Sequence, residues 1–167
     1  DSADALNDSA LYESLSTNVG GEAITATADA EAQPGSYNVS VETLATRGTL
    51  ASTGVDAADT PIIDADADQT LTLTFAEVNA EGENLTKDIT LAAGSTLEEV
   101  RDTINASGDS GVTATIVNDG TNFRLALSSS NTGADASIKN FSFEGAAPFT
   151  ADTGETQQLG TDAVLNV

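Results

Sequence analysis

Apolar and polar residues alternate along much of the chain, and the alternation stops at turn residues. Leu71, Leu73 and Phe75 alternate with Thr72 and Thr74, which predicts a strand over residues 70–76 with one buried face. The turn-like stretch Asn79 to Asn84 leads into a returning strand, Lys87 to Leu91, with Ile89 and Leu91 on one side. Val112, Ala114 and Ile116 alternate with Thr113 and Thr115. Asn118-Asp119-Gly120-Thr121 then reads as a hairpin turn, after which Phe123, Leu125 and Leu127 alternate with Arg124 and Ala126.

Between these two hairpins the period changes. Leu97, Val100 and Ile104 fall at i, i+3 and i+7, the single apolar stripe of a short helix. Ser95-Thr96-Leu97-Glu98-Glu99 contains two overlapping capping boxes, in which a hydroxyl accepts from a free amide and a glutamate reaches back. Glu98 and Glu99 also lie where the helix dipole favours negative charge, and Gly108 or Gly111 is the expected stop. A helix with one narrow stripe lies on a sheet rather than in a bundle. Residues 70–128 therefore predict a β-β-α-β-β unit whose sheet continues past the helix. Lys139 to Phe143 adds a strand with Phe141 and Phe143 on one face, and Ala163 to Val167 adds another.

The N-terminal part is less regular. Leu6, Leu11 and Leu15 stand in a polar setting without a clean period, as the frayed end of a helix or a linker would. Ala23 to Ala28 is short and strand-like. Pro34 presets φ for the first central position of a type II turn and Gly35 tolerates the second. Tyr37, Val39, Val41 and Thr43 then alternate with Asn38, Ser40 and Glu42, so residues 22–44 predict a hairpin with a half-buried strand. Gly48 to Gln69 has no sustained period and reads as a long connection or irregular edge.

Composition narrows the chemistry. The 167 residues carry 27 Asp plus Glu against 5 Lys plus Arg, a formal net charge of -22. That charge disfavours nucleic acid and anionic membrane as partners. Charged residues are nevertheless only 19% and apolar residues 39%, which suits a folded chain. The surplus of carboxylates beside few lysines fits salty surroundings, where a Debye length of about 3 Å at 1 M screens self-repulsion. Histidine, cysteine, methionine and tryptophan are absent, which removes the commonest general base, the thiol nucleophile and Cys/His metal sites. No apolar stretch approaches the roughly 18 residues of a membrane span.

Asp56, Asp59, Asp64, Asp66 and Asp68 form the densest acidic run, and Asp64, Asp66 and Asp68 are candidate oxygen ligands for calcium. The run lacks the fixed glycine and distal glutamate of an EF-hand loop, so a solvated acidic loop is the competing reading and no metal is assigned. Paired carboxylates of a glycosidase are disfavoured by the aromatic content of 4%. The Asn-x-Ser/Thr sequons at Asn7, Asn38, Asn84, Asn105 and Asn140 are expected by chance in such a composition. Arg101 and Arg124 sit beside acids and are expected to form surface ion pairs. With no nucleophile–base pair and no phosphate loop, neither enzymatic activity nor a cofactor is expected.

Two segments resemble a known family. Ala32-Gln33-Pro34-Gly35-Ser36-Tyr37-Asn38-Val39-Ser40-Val41-Glu42-Thr43-Leu44-Ala45 is similar to a stretch in the N-terminal region of the filament-capping family, flagellar hook-associated protein 2. Residues 89–106, with Leu97, Val100, Arg101, Ile104 and Asn105, and residues 111–120, ending in Asn118-Asp119-Gly120, resemble the flagellin hook IN motif that follows it in that family. The likeness continues through Phe123 to Ser129 and Thr132-Gly133-Ala134. Some flagellins carry the second motif too, so the order of the two points to the cap.

The resemblance implies a secreted, non-catalytic protein. It would assemble with itself at the flagellar tip and help flagellin join the filament, with a host or surface receptor as a further candidate partner. Helical legs of that family are missing, which implies the middle part of a longer chain. Arg47-Gly48 departs from the family's glutamine-containing stretch, so partner contacts made there are not carried over. The expected fold class is α+β, mainly antiparallel β. Residues 1–20 would be a linker or the end of a helical leg; 21–47 with 159–167 would form a discontinuous β module; and 48–158 would be an inserted module with the motif at 89–128. The alternatives are the variable outer region of a flagellin and a calcium- or carbohydrate-binding adhesin module.

Overall fold

The computed structural model describes residues 38–154 and 156–166, together with 18, 19, 25, 27, 33, 35 and 36. The chain divides into two compact units, residues 1–39 with 167 and residues 40–166. Of the first arm of the expected hairpin only Thr25 and Thr27 are described, both exposed in irregular backbone; Ala23, Ile24, Pro34 and Tyr37 lie outside the described residues.

The larger unit runs β1 (Ser40–Thr43), β2 (Arg47–Ala51), β3 (Gln69–Val78), β4 (Asn84–Leu91), α1 (Leu97–Ala106), β5 (Val112–Asn118), β6 (Phe123–Thr132), β7 (Ile138–Phe143) and β8 (Val164–Asn166). The expected class is present: antiparallel β throughout, with one α-helix among the described residues. The strands form a pair β1-β8 and two three-stranded sheets, β2-β6-β5 and β4-β3-β7. The two hairpins that flank α1 thus belong to different sheets, rather than to one sheet continuing past the helix. Alternation defines each hairpin, but the third strand of each sheet comes from elsewhere: β7 returns to pair with β3, and β2 pairs with β6.

Alternating residues of both sheets meet in one core. Leu71, Leu73 and Phe75 of β3, Ile89 and Leu91 of β4, Leu125 and Leu127 of β6, and Ile138 and Phe141 of β7 are buried in it. Leu97, Val100 and Ile104 of α1 are completely buried, each side chain contributing about 1.5–3 kcal/mol relative to exposure. The helix packs on β5 and touches β4.

The segment 48–69 is not simply a connection. Arg47–Ala51 is a strand, with Leu50 buried and Thr49, Leu50 and Ala51 opposite Ser128, Leu127 and Ala126. Farther on, Ala58 and Ile63 also enter the core. The pair β1-β8 is short and fully exposed, with Val41 at 45% and Leu165 at 54% exposure. The half-buried face expected of Val41 is therefore an exposed one. Two strands alone have no second layer to bury a face against.

Candidate functional site

The residues of the second motif gather around the junction of α1 with β5. Only one of the two capping boxes forms. Thr96 Oγ1 accepts from the Glu99 amide at 3.2 Å and the Glu99 carboxylate accepts from the Thr96 amide at 2.9 Å. Ser95 is buried instead, its hydroxyl donating to Ala92 O at 2.7 Å. The helix ends before either glycine. Ser107 leaves it in an extended conformation while its N–H donates to Thr103 O and Ile104 O, so no left-handed residue is needed. Gly111 is instead required by the turn and by close packing: its φ is +74°, and a Cβ there would stand 2.9 Å from the Phe75 ring.

Asn105 joins helix to sheet. Its Nδ2 donates to Ala114 O at 2.9 Å and its Oδ1 accepts from Ala114 N at 2.8 Å. Both backbone groups of one residue on the sheet's edge strand are thereby satisfied by a single side chain, as a neighbouring strand would satisfy them. Arg101 pairs with its neighbour Asp102 at 2.7 Å on the surface, as expected.

The turn at the end of the hairpin spans residues 119–122 between Asn118 and Phe123. Asn118 Oδ1 accepts from Gly120 N at 2.8 Å, and Gly120 adopts φ +95°. Asp119 Oδ1 accepts from the amides of Thr121 and Asn122, and its Oδ2 accepts from Arg124 Nε at 2.8 Å. The Arg124 bond, then those of Asn122 and Thr121, hold the Asp119 carboxyl down to about 2. Arg124 also reaches Ser52 O at 3.1 Å and Asp152 at 3.4 Å. It therefore does more than the surface ion pair expected of it: it ties the hairpin tip to Ser52, just past the end of β2, and to a loop 28 residues farther along.

A second node was not visible in the sequence. Ser137 is fully buried; its Oγ donates to Gly133 O at 3.0 Å and accepts from Gly160 N at 2.7 Å. Thr46 accepts from Gly133 N and Thr161 N and donates its own N–H to Thr161 O, while Asp162 accepts from Ala134 N. This node fastens the segments next to β1 and β8 onto the sheets.

The acidic run behaves as loop scaffolding. Asp64 Oδ1 accepts from Asp66 N at 2.9 Å, and Asp68 Oδ1 accepts from Ala93 N at 2.9 Å. Asp66 is exposed. Among the described residues no group of three or more His, Cys, Asp or Glu side chains could hold a metal ion. Of the first motif, Gly35 and Ser36 are exposed in irregular backbone, and Pro34 and Tyr37 lie outside the described residues.

Comparison with known proteins follows the same two segments. The profile described as "Flagellar hook-associated protein 2 N-terminus" matches residues 1–48, and that described as "Flagellin hook IN motif" matches residues 72–131. Flagellar hook-associated protein 2 of Escherichia coli K12 is 36% identical over 132 residues, 78% of this chain and 27% of that protein. This chain belongs to the flagellar hook-associated protein 2 family. It spans about a quarter of the length of the curated relatives it matches. The family's solved structures share its fold. The D2-D3 domains of the flagellar cap protein of Escherichia coli superpose with a TM-score of 0.52 at 33% identity, over 66% of this chain and 52% of that one. Those of Serratia marcescens give 0.57 at 27% identity, over 84% and 77%. Of the motif residues, Leu97, Val100 and Ile104 are buried in the core, Asn105 is bonded to Ala114, and Asn118 to Gly120 shape the hairpin turn.

Proposed function

We propose that this chain is a structural part of the bacterial flagellar filament cap. In this reading it belongs to an oligomeric plate at the extracellular tip of the filament that promotes flagellin polymerisation and prevents loss of monomers. The observation that carries the reading is the order of the two family segments, the hook-associated N-terminus before the IN motif, on a chain similar to cap protein domains. The variable region of a flagellin accounts for the second segment alone. The chain acts through protein–protein contacts with its own copies and with flagellin, without catalysis or a cofactor; attachment to a surface receptor is a secondary role.

Residues 21–47 with 159–167 form one β module in this reading, 48–158 form an inserted one, and 1–20 lead to a helical leg. Antiparallel pairing of β1 with β8 supports the discontinuous module. The test is complementation. A strain lacking its cap and shedding flagellin monomers should regain filaments when given the full-length protein; unchanged shedding would overturn the proposal.

A further inference from the structure

The chain contains a single Asp-Gly pair, Asp119-Gly120. At such a pair a polypeptide is open to attack on itself, because a residue without a Cβ leaves its amide nitrogen uncovered and its backbone free to turn towards the preceding carboxyl. In that reaction the Gly120 nitrogen bonds to Cγ of Asp119, the carboxyl hydroxyl departs with the amide proton as water, and a five-membered succinimide remains. Water then opens the ring at either carbonyl. One opening restores the aspartate; the other leaves an isoaspartyl link, which lengthens the turn by one backbone atom. Both reacting groups lie at the surface, and the Asp119 side chain is 34% exposed, so water reaches it. Each is nevertheless engaged elsewhere. The Gly120 N–H donates to Asn118 Oδ1 at 2.8 Å. The Asp119 carboxylate accepts from Thr121 N at 2.9 Å, from Asn122 N at 2.8 Å and from Arg124 Nε at 2.8 Å. Arg124 is in turn placed from outside the turn, by Ser52 O at 3.1 Å and Asp152 at 3.4 Å.

We infer that Asp119-Gly120 is an isomerisation site which the folded hairpin keeps closed, and that Arg124 and Asn118 are the two residues that hold it so. Arg124 acts on the leaving group. Ring closure needs a neutral carboxyl, since an ionised one has no hydroxyl to lose, and the guanidinium favours the ionised form. The Arg124 bond, then those of Asn122 and Thr121, bring this carboxyl from 3.8 to about 2. Above both values the neutral fraction falls tenfold for each unit of depression, so the bonds of the turn lower it roughly 60-fold. Asn118 acts on the nucleophile: the Gly120 amide must rotate to reach Cγ, and its bond to Asn118 resists that rotation. An isoaspartyl link would also part Arg124 from its carboxylate, so the same event that ages the turn would untie the hairpin tip from Ser52 and Asp152.

The experiment follows isoaspartate at residue 119 by peptide mapping with electron-transfer fragmentation, which distinguishes the two links, at about pH 5 and with the melting temperature recorded for each variant. The folded chain should convert at least about tenfold more slowly than the same chain unfolded in urea. Arg124→Gln should raise the folded rate about tenfold. Asp152→Asn frees Arg124 from the loop but leaves it on Asp119, so its rate should stay within about twofold of the unsubstituted chain. Where Arg124→Gln lowers the melting temperature, Asn118→Ala replaces it and should raise the rate about threefold through the lost bond to Gly120. Equal rates in the folded and unfolded chain overturn the inference, as does an unchanged rate in Arg124→Gln at an unchanged melting temperature, or in Asn118→Ala where it stands in. Equal acceleration by Asp152→Asn also overturns it, since the tie to the loop, and not the pairing with Asp119, would then govern the rate.

Discussion

Asn105→Ala removes both hydrogen bonds that bind α1 to the backbone of Ala114. Ala114 is only 2% exposed, so its amide and carbonyl lie at the boundary of the core. Each neutral hydrogen bond contributes about 0.5–1.5 kcal/mol net, and the pair about 1–3 kcal/mol. Asn105 itself is exposed, so little apolar burial is lost with it. With a urea slope of about 2 kcal/mol/M, the midpoint of unfolding should fall by about 0.5–1.5 M. The slope itself should not change. Hydrogen exchange localises the effect: the Ala114 amide should lose protection by more than the global change in stability, because water then reaches an edge that the side chain covered. Asn105→Asp should be no better at neutral pH, since it keeps the acceptor and turns a carboxylate towards the Ala114 carbonyl. A midpoint within about 0.2 M of the unsubstituted protein would refute the reasoning.

Three further outcomes are expected. Gly160→Ala places a Cβ 2.5 Å from Thr46 O and 2.6 Å from Gly133 O, so calorimetry should find a loss of about 1–3 kcal/mol from overpacking; an unchanged transition would contradict it. Asp119 has a folded-state carboxyl depressed from 3.8 to about 2, so its contribution to stability is complete above the unfolded value and disappears as pH falls through that interval. Asp119→Asn should flatten this part of the acid-unfolding curve, and an identical curve would count against the Arg124 contact. Finally, raising salt from about 0.01 M to 1 M shortens the Debye length from about 30 Å to 3 Å, and the melting temperature should rise; a flat or falling response would argue that the carboxylates do not strain the fold.

The strands with alternating large apolar residues were the legible ones. Leu71-Thr72-Leu73-Thr74-Phe75 announces its face directly, and the spacing of Leu97, Val100 and Ile104 announces the helix. Arg47–Ala51 does not, because its only large apolar residue is Leu50; the next inward position is held by buried Ser52, whose Oγ accepts from Leu125 N at 2.9 Å. A strand that fills its inner face with glycine, leucine and serine carries no readable period. The assignment of hairpins to sheets was hidden for a different reason: it depends on the returns of β2 and β7, which no local pattern encodes. The motif residues themselves could be found, but not their partners. Asn105 looks like any polar helical residue until Ala114 is beside it, and Arg124 meets Asp152 only through folding. Val41 alternates as a half-buried residue would, yet its two-stranded sheet offers nothing to bury it against.

The antiparallel pairing of Ser40 with Asn166 and Val41 with Leu165 has a topological consequence. It brings the chain's entry into the larger unit and its exit to within roughly 5 Å of each other. The chain from β2 to β7 therefore hangs as a pendant from a two-stranded stem. A pendant can lengthen, shrink or be exchanged without altering the spacing of the two segments that carry it. Tension drawn through both ends would be borne first by the rungs of that stem and by the Thr46–Thr161 contacts beside it, leaving the core unloaded until they part.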